Sequence, residues 1–184
     1  LGRWSRGLGD VYKRQLQGIQ PPIWRRILIA STENLEDLHF TLQVVMGWTN
    51  SHLHEFMYNH ERYGALDEDF PPNLRDEVDY RVDQLLKEEK DKLLYVYDFG
   101  DGWEHEVVLE KILPFEPGAD LPKCLKGSRA CPPEDVGGPP GYQMFLEAIS
   151  DLSHPEHDDM AEWIGGDFDS EHFDLAEVNE FLLE

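Results

Sequence analysis

Apolar residues alternate with polar ones along some stretches of this chain and recur every third or fourth residue along others, which separates strands from helices. Leu16–Gln20 and Ile23–Ala30 (IWRRILIA) carry the residues favoured in strands, with Pro21 and Pro22 making a rigid corner between them. Leu35, Leu38, Leu42, Val45 and Met46 fall on one face of a helix that Gly47 ends, with Ser31 or Thr32 as the expected cap. His52–Tyr58 (HLHEFMY) alternates, so His52, His54, Phe56 and Tyr58 share one face of a strand and Leu53, Glu55 and Met57 the other. Residues 63–74 read as loop and residues 82–89 as a weak helix. Leu93–Tyr97, the turn Gly100-Asp101-Gly102 and Trp103–Ile112 form a predicted hairpin whose inward face carries Trp103, His105, Val107 and Leu109. Residues 114–141 hold seven prolines and five glycines and read as a long ordered loop or covering flap. Tyr142–Ile149, Asp158–Ile164 and Leu175–Leu183 complete the pattern as three short helices. This order predicts an α+β fold, a mostly antiparallel sheet with helices packed on one side.

Length and charge narrow the reading. At 184 residues the chain buries one sizeable core and is short for two. A net charge of −22 argues against direct binding to nucleic acid or to an anionic membrane surface, both of which repel it. No run of about 18 apolar residues is present and no signal-peptide pattern, so a cytoplasmic location is expected. Cys124 and Cys131 are too few for a disulfide framework and are not spaced as a metal knuckle. The charge is uneven: six basic residues against Asp10 alone precede Ser31, while residues 151–184 hold twelve acids and neither Lys nor Arg. That asymmetry reads first as a solvated acidic face.

The first fifteen residues, LGRWSRGLGDVYKRQ, lack apolar periodicity and differ in charge from the rest of the chain. Asp10–Gln15 (DVYKRQ) is also what one frame of the transposon-end sequencing adapter GATGTGTATAAGAGACAG encodes. Residues 1–15 are therefore expected to be a non-native or disordered appendage, with a single domain over residues 16–184 and its first strand partly overwritten.

Five segments in order resemble the plasmid pRiA4b ORF-3-like family: GIQPPIWRR (residues 18–26), LH with GWTNSHLHEF (38–39 and 47–56), YDFGDGWEH (97–105), CLKGSRACPPEDVGG (124–138) and GYQMFLEAI (141–149). The resemblance runs from Leu16 to the C terminus. It implies an α+β fold and a plasmid or mobile-element setting, the family also being met as a passenger of insertion elements under a TnpR-like label. Resolvase chemistry itself finds no support, because strand exchange needs a nucleophile within a basic DNA-facing surface. Two departures stand out. Family members open with a fuller strand where DVYKRQ stands, and many carry a cysteine where this chain has Val136, which argues against a three-cysteine metal site.

The candidate chemistry gathers around Tyr95–His105. His52, His54, Asp98 and His105 converge if the His52 strand neighbours the Trp103 hairpin, and imidazoles with a carboxylate suit Zn²⁺ or another divalent metal. The alternative is that these histidines pack between aromatics and bond to carboxylates inside a rigid sheet. Trp24, Arg26, Asp101, Trp103, Glu134 and Asp135 are the candidate binding surface. CPPEDVGGPPGY reads either as a stiff loop delivering Glu134 and Asp135 over the hairpin turn or as a plain helix entry. Arg26 offers an anion clamp, with internal pairing to a carboxylate favoured in so acidic a chain. Two functions remain: an interaction module with a protein partner, which leads, and a small metal-assisted hydrolase using the histidine–carboxylate cluster.

Overall fold

The computed structural model describes residues 8–66, 73–114 and 118–183. Eight strands form one sheet: β1 (Leu8–Leu16), β2 (Trp24–Ala30), β3 (His54–Tyr58), β4 (Glu61–Gly64), β5 (Leu74–Asp76), β6 (Lys92–Tyr97), β7 (Trp103–Pro114) and β8 (Lys123–Ser128). Their order is β5-β4-β3-β6-β7-β1-β2-β8, antiparallel throughout except for the β4–β5 pair. The helices are α1 (Leu35–Met46), α2 (Val82–Leu85), α3 (Gly138–Ser150), α4 (His157–Ile164) and α5 (Leu175–Phe181). The α+β class read from the sequence is the one observed.

Helix α1 forms where its apolar spacing predicts, and Leu35, Leu38, Leu42, Val45 and Met46 are all buried. Its cap is Asn34 rather than Ser31 or Thr32: Asp37 N donates to Asn34 Oδ1 at 2.8 Å, and Asn34 N donates back to Asp37 Oδ2 at 3.2 Å. This reciprocal box satisfies two amide donors at the helix start, and Gly47, at φ 78°, closes the other end. The hairpin β6–β7 pairs Tyr97 with Trp103 and Tyr95 with His105. Trp103, His105, Val107 and Leu109 are all buried, as their alternation predicts.

Three strands escape the sequence reading. β4 and β5 arise where residues 63–74 look like loop, residues 67–72 lying outside those described, and β8 arises inside the proline- and glycine-rich stretch. Each is only three to six residues long and edge-proximal, so little periodicity is available to announce it.

β1 is the larger departure. Residues 1–7 lie outside those described, but Leu8–Leu16 is a strand held between β2 and β7, so the boundary expected after residue 15 falls inside the sheet. Tyr12, Arg14 and Leu16 are each at most 1% exposed, and Arg14 reaches the Leu42 carbonyl of α1. The charged side chains of Asp10 and Arg14 at buried positions hide this strand from a hydrophobicity reading. Arg25, opposite Arg14 in register, is buried as well and donates to the carbonyls of Val45, Ser128 and Arg129 with its guanidinium over Phe173.

Candidate functional site

The hairpin turn and the loop before α3 meet over the start of β3. Asp98 sits in the left-handed region at φ 56°, where Asp is tolerated better than most residues. Its Oδ1 accepts from Gly100 N at 2.9 Å and Asp101 N at 3.2 Å, and its own N–H donates to the Leu53 carbonyl. One carboxylate oxygen is thereby committed to the turn, and Oδ2 is left 3.6 Å from His52 Nε2. The facing loop is clamped by its neighbours. Tyr97 OH donates to Glu134 Oε1 at 2.6 Å, Thr49 N and Oγ1 donate to Glu134 Oε2, and Gly137 N donates to Asp101 Oδ2 at 3.0 Å. Burial, then the Glu134 carboxylate beside it, raises the Tyr97 phenol well above its ordinary range. Gly138 permits the contact: a Cβ there would lie 2.2 Å from the Asp101 carbonyl oxygen, at a φ of 67°.

These clamps leave Asp135, also left-handed at φ 60°, with Oδ1 3.0 Å from His52 Nε2. His52, Asp98 and Asp135 each offer one ligand atom, all within 4.8 Å of one another. A tetrahedral ion bound at about 2.1 Å sets its ligands roughly 3.4 Å apart, and the 3.0 and 3.6 Å separations from His52 bracket that value, so Zn²⁺ or a similar ion could be held with the carboxylates adjusting and a position left for water. His52 Nε2 itself is buried and, among the described residues, makes no hydrogen bond of proper geometry despite its near carboxylates, so an electrophile there would satisfy it.

The other two predicted ligands are elsewhere. His105 is fully buried: Arg14 Nη2 donates to its Nδ1 at 2.7 Å, and Trp48 packs against its ring edge-on. Burial, reinforced by Arg14, holds His105 far below the ordinary histidine range, so it is neutral. His54 bonds Glu77 Oε2 at 2.8 Å and stacks on His39 with ring centroids 3.4 Å apart. The expectation of one His52/His54/Asp98/His105 centre is therefore corrected. His105 points from the sheet into packed surroundings and His54 toward Glu77 and His39 at a cavity wall, while His52 precedes β3 and swings to the turn.

The expected binding surface also divides. Trp103 is 1% exposed and packs on Trp48 in the core. Arg26 is paired bidentately with Glu110, at 2.5 and 3.0 Å, beside Trp24, so it is no free anion clamp. Asp101 and Glu134 hold the loops together. Of the six, Asp135 alone joins the His52 cluster.

A model of the plasmid pRiA4b ORF-3-like protein family matches residues 11–177. The chain belongs to that family. The match takes in residues 11–15 as well as the five segments in which the resemblance is written. The uncharacterized protein y4hQ of Sinorhizobium fredii is 40% identical over 172 residues, covering 91% of this chain and 87% of that protein. The crystal structure of MM3350 from Methanosarcina mazei Go1, a protein of unknown function, superposes with a TM-score of 0.84 at 39% identity, over 92% of this chain and 97% of that one. Among the described residues of this family member, no helix is long and apolar enough to cross a membrane.

His39, Asn50 and Glu77 line a cavity beside His52, and periodicity does not single them out. His39 lies on α1 among core leucines, and Glu77 lies in a one-turn helix after β5. The signal that could have found Glu77 is a buried carboxylate with a histidine partner, and that exists only in three dimensions.

Proposed function

We propose that this chain binds a divalent cation through His52, Asp98 and Asp135 and uses it in metal-assisted hydrolysis of a small substrate. The observation that carries the reading is the convergence of one imidazole nitrogen and two carboxylate oxygens within 4.8 Å, on loops fixed by other hydrogen bonds. One nitrogen and two oxygens suit Zn²⁺ or Mn²⁺. Such an ion polarises a carbonyl and acidifies bound water. His52 also lines an adjoining cavity of about 490 Å³, large enough for a small substrate. Calorimetric titration of chelator-treated protein with Zn²⁺ and Mn²⁺ tests the reading: one ion per chain is expected, with Asp98→Asn and Asp135→Asn each weakening it at least tenfold. Binding unaltered by both substitutions refutes the site.

A second reading, an interaction module with a protein partner, is favoured by a separate observation. Met144 and Trp163, 60% and 46% exposed, border a groove with Phe145 and Met160 between α3 and α4. The family's plasmid description supports a mobile-element setting for either reading. Capture of one defined partner by the wild type and its loss in Trp163→Ala distinguishes this reading from the first.

A further inference from the structure

The 490 Å³ cavity has a second set of groups that the cation site does not use. Four of the residues that line it are His39, Asn50, His54 and Glu77. Glu77 is 2% exposed, and a carboxylate is seldom so deeply buried without a partner. Its partner is His54, with Nε2 2.8 Å from Glu77 Oε2. His54 Nδ1 has no hydrogen-bond partner among the described residues, on a side chain that lines the cavity.

The ring beneath His54 is held still. Gln43 Nε2 donates to Tyr95 OH at 2.9 Å, Tyr95 OH donates to His39 Nδ1 at 2.8 Å, His39 Nε2–H donates to Asn50 Oδ1 at 2.8 Å, and Asn50 N–H donates to Gln43 Oε1 at 3.0 Å. This closed circuit fixes one tautomer of His39. Burial, then the neighbouring His54, pushes His39 down to about 3, so the stacked ring stays neutral. His54 lies on it at an interplanar angle of 5°. The same circuit spends Asn50 Oδ1 and leaves its Nδ2 donor without a partner among the described residues at the cavity wall.

We infer that His54 is a general base acting on water in this cavity, positioned by Glu77 and the His39 ring, and that the substrate is an uncharged acyl ester or amide. A carboxylate that orders one imidazole nitrogen while the other faces the reacting water is the arrangement general-base catalysis needs. His54 Nδ1 takes a proton as the water oxygen attacks the acyl carbon. Asn50 Nδ2 donates to the carbonyl oxygen as its charge builds, and the proton passes from His54 to the departing alcohol or amine. Ester and water leave as acid and alcohol. Among the described residues no Lys or Arg lines the cavity, while Glu36 and Glu77 do, so substrates that carry a phosphate or a free carboxylate are disfavoured. The inference uses the cavity adjoining the proposed cation site, yet His54 and Glu77 make no hydrogen bond to His52, Asp98 or Asp135.

Full-length protein, assayed after chelation and again with Zn²⁺, is given 4-nitrophenyl acetate and 4-nitrophenyl phosphate. The acetate should be hydrolysed and the phosphate not. His54→Gln should lower kcat/KM by about 100-fold or more. Glu77→Gln should lower kcat with KM and melting temperature little changed, a split that loss of fold does not produce. Acetate turnover equal in wild type and in both variants overturns the inference, as does preference for the phosphate. Turnover that needs Zn²⁺ but ignores His54→Gln supports the cation site and overturns the base. Turnover that needs His54 in a protein that binds no Zn²⁺ or Mn²⁺ does the reverse.

Discussion

Arg14 offers the sharpest test of how this core is held together. Its side chain is among the largest that are fully buried, yet among the described residues no carboxylate pairs with it. Nη2 meets the neutral His105, Nη1 reaches the Leu42 carbonyl at 3.4 Å, and Nε has no partner among the described residues. Burial drags the guanidinium down to about 9, only partly opposed by Cys131 and Tyr95. Because the folded value lies below the ordinary one, the buried charge costs stability in full below pH 9, and the cost is relieved as pH climbs above it. Replacing a buried, poorly paired ion by an apolar residue of like volume typically gains about 1–4 kcal/mol, and the lost bond to His105 takes back about 1 kcal/mol. Arg14→Met should therefore stabilise the protein by up to about 3 kcal/mol, each kcal/mol raising Tm by about 2–4 °C for a chain this size. Urea denaturation at pH 7 and at pH 10 measures both the gain and its pH dependence: the advantage of the variant should shrink at pH 10. Destabilisation by 1 kcal/mol or more at pH 7 would refute the reasoning and make Arg14 a structural anchor. The position also bears on the origin of DVYKRQ. We propose that this run is adapter-derived, and sequencing the source DNA with adapter-free chemistry should return codons for other residues there; a genomic run that still encodes DVYKRQ, in codons synonymous with but unlike the adapter's, would end the idea.

The same contacts predict other outcomes. Gly138→Ala should cost roughly 2–4 kcal/mol, because a left-handed backbone and a Cβ 2.2 Å from the Asp101 carbonyl oxygen act together, and it should weaken cation binding by displacing Asp135; a variant that melts and binds like wild type contradicts the clamp. His39, held at about 3 by burial, stabilises the fold in full above its ordinary value near 6.5 and progressively less as pH falls toward 3, by up to about 1.4 kcal/mol per pH unit. His39→Gln should flatten the stability profile between pH 6 and 4, and an unchanged slope by urea titration counts against it. Burial lifts the Cys131 thiol to about 12, above the opposing pull of Arg14 and Arg25, so although the residue is only half-buried, native protein at pH 8 should label with a thiol reagent at Cys131 far more slowly than unfolded protein does. Fast single-site labelling in native protein that vanishes in Cys131→Ser would show the thiol is exposed.

Sequence alone determined what rests on local periodicity. Helix α1, the Trp103 face of the hairpin and the α+β class were all legible, because burial of one face imposes a spacing that survives in the order of residues. The five family segments likewise sit in order along the chain, and the matched family confirms them. His52 and Asp98 were legible as candidates, and so was the loop carrying Glu134 and Asp135. Their grouping was not. Two histidines two apart suggested a shared destination, yet His52 lies outside the strand and turns to Asp98 and Asp135, while His54 stays in it and meets Glu77 and His39. His105 was placed inward correctly, but its partner is Arg14 on a strand with too many charges to look like one. Which side chains meet depends on strand order and on loops that cross it, here β3-β6-β7-β1 and residues 129–137. Those are contacts between residues tens of positions apart, and a one-dimensional pattern holds no record of such distances until the sheet closes and brings them together.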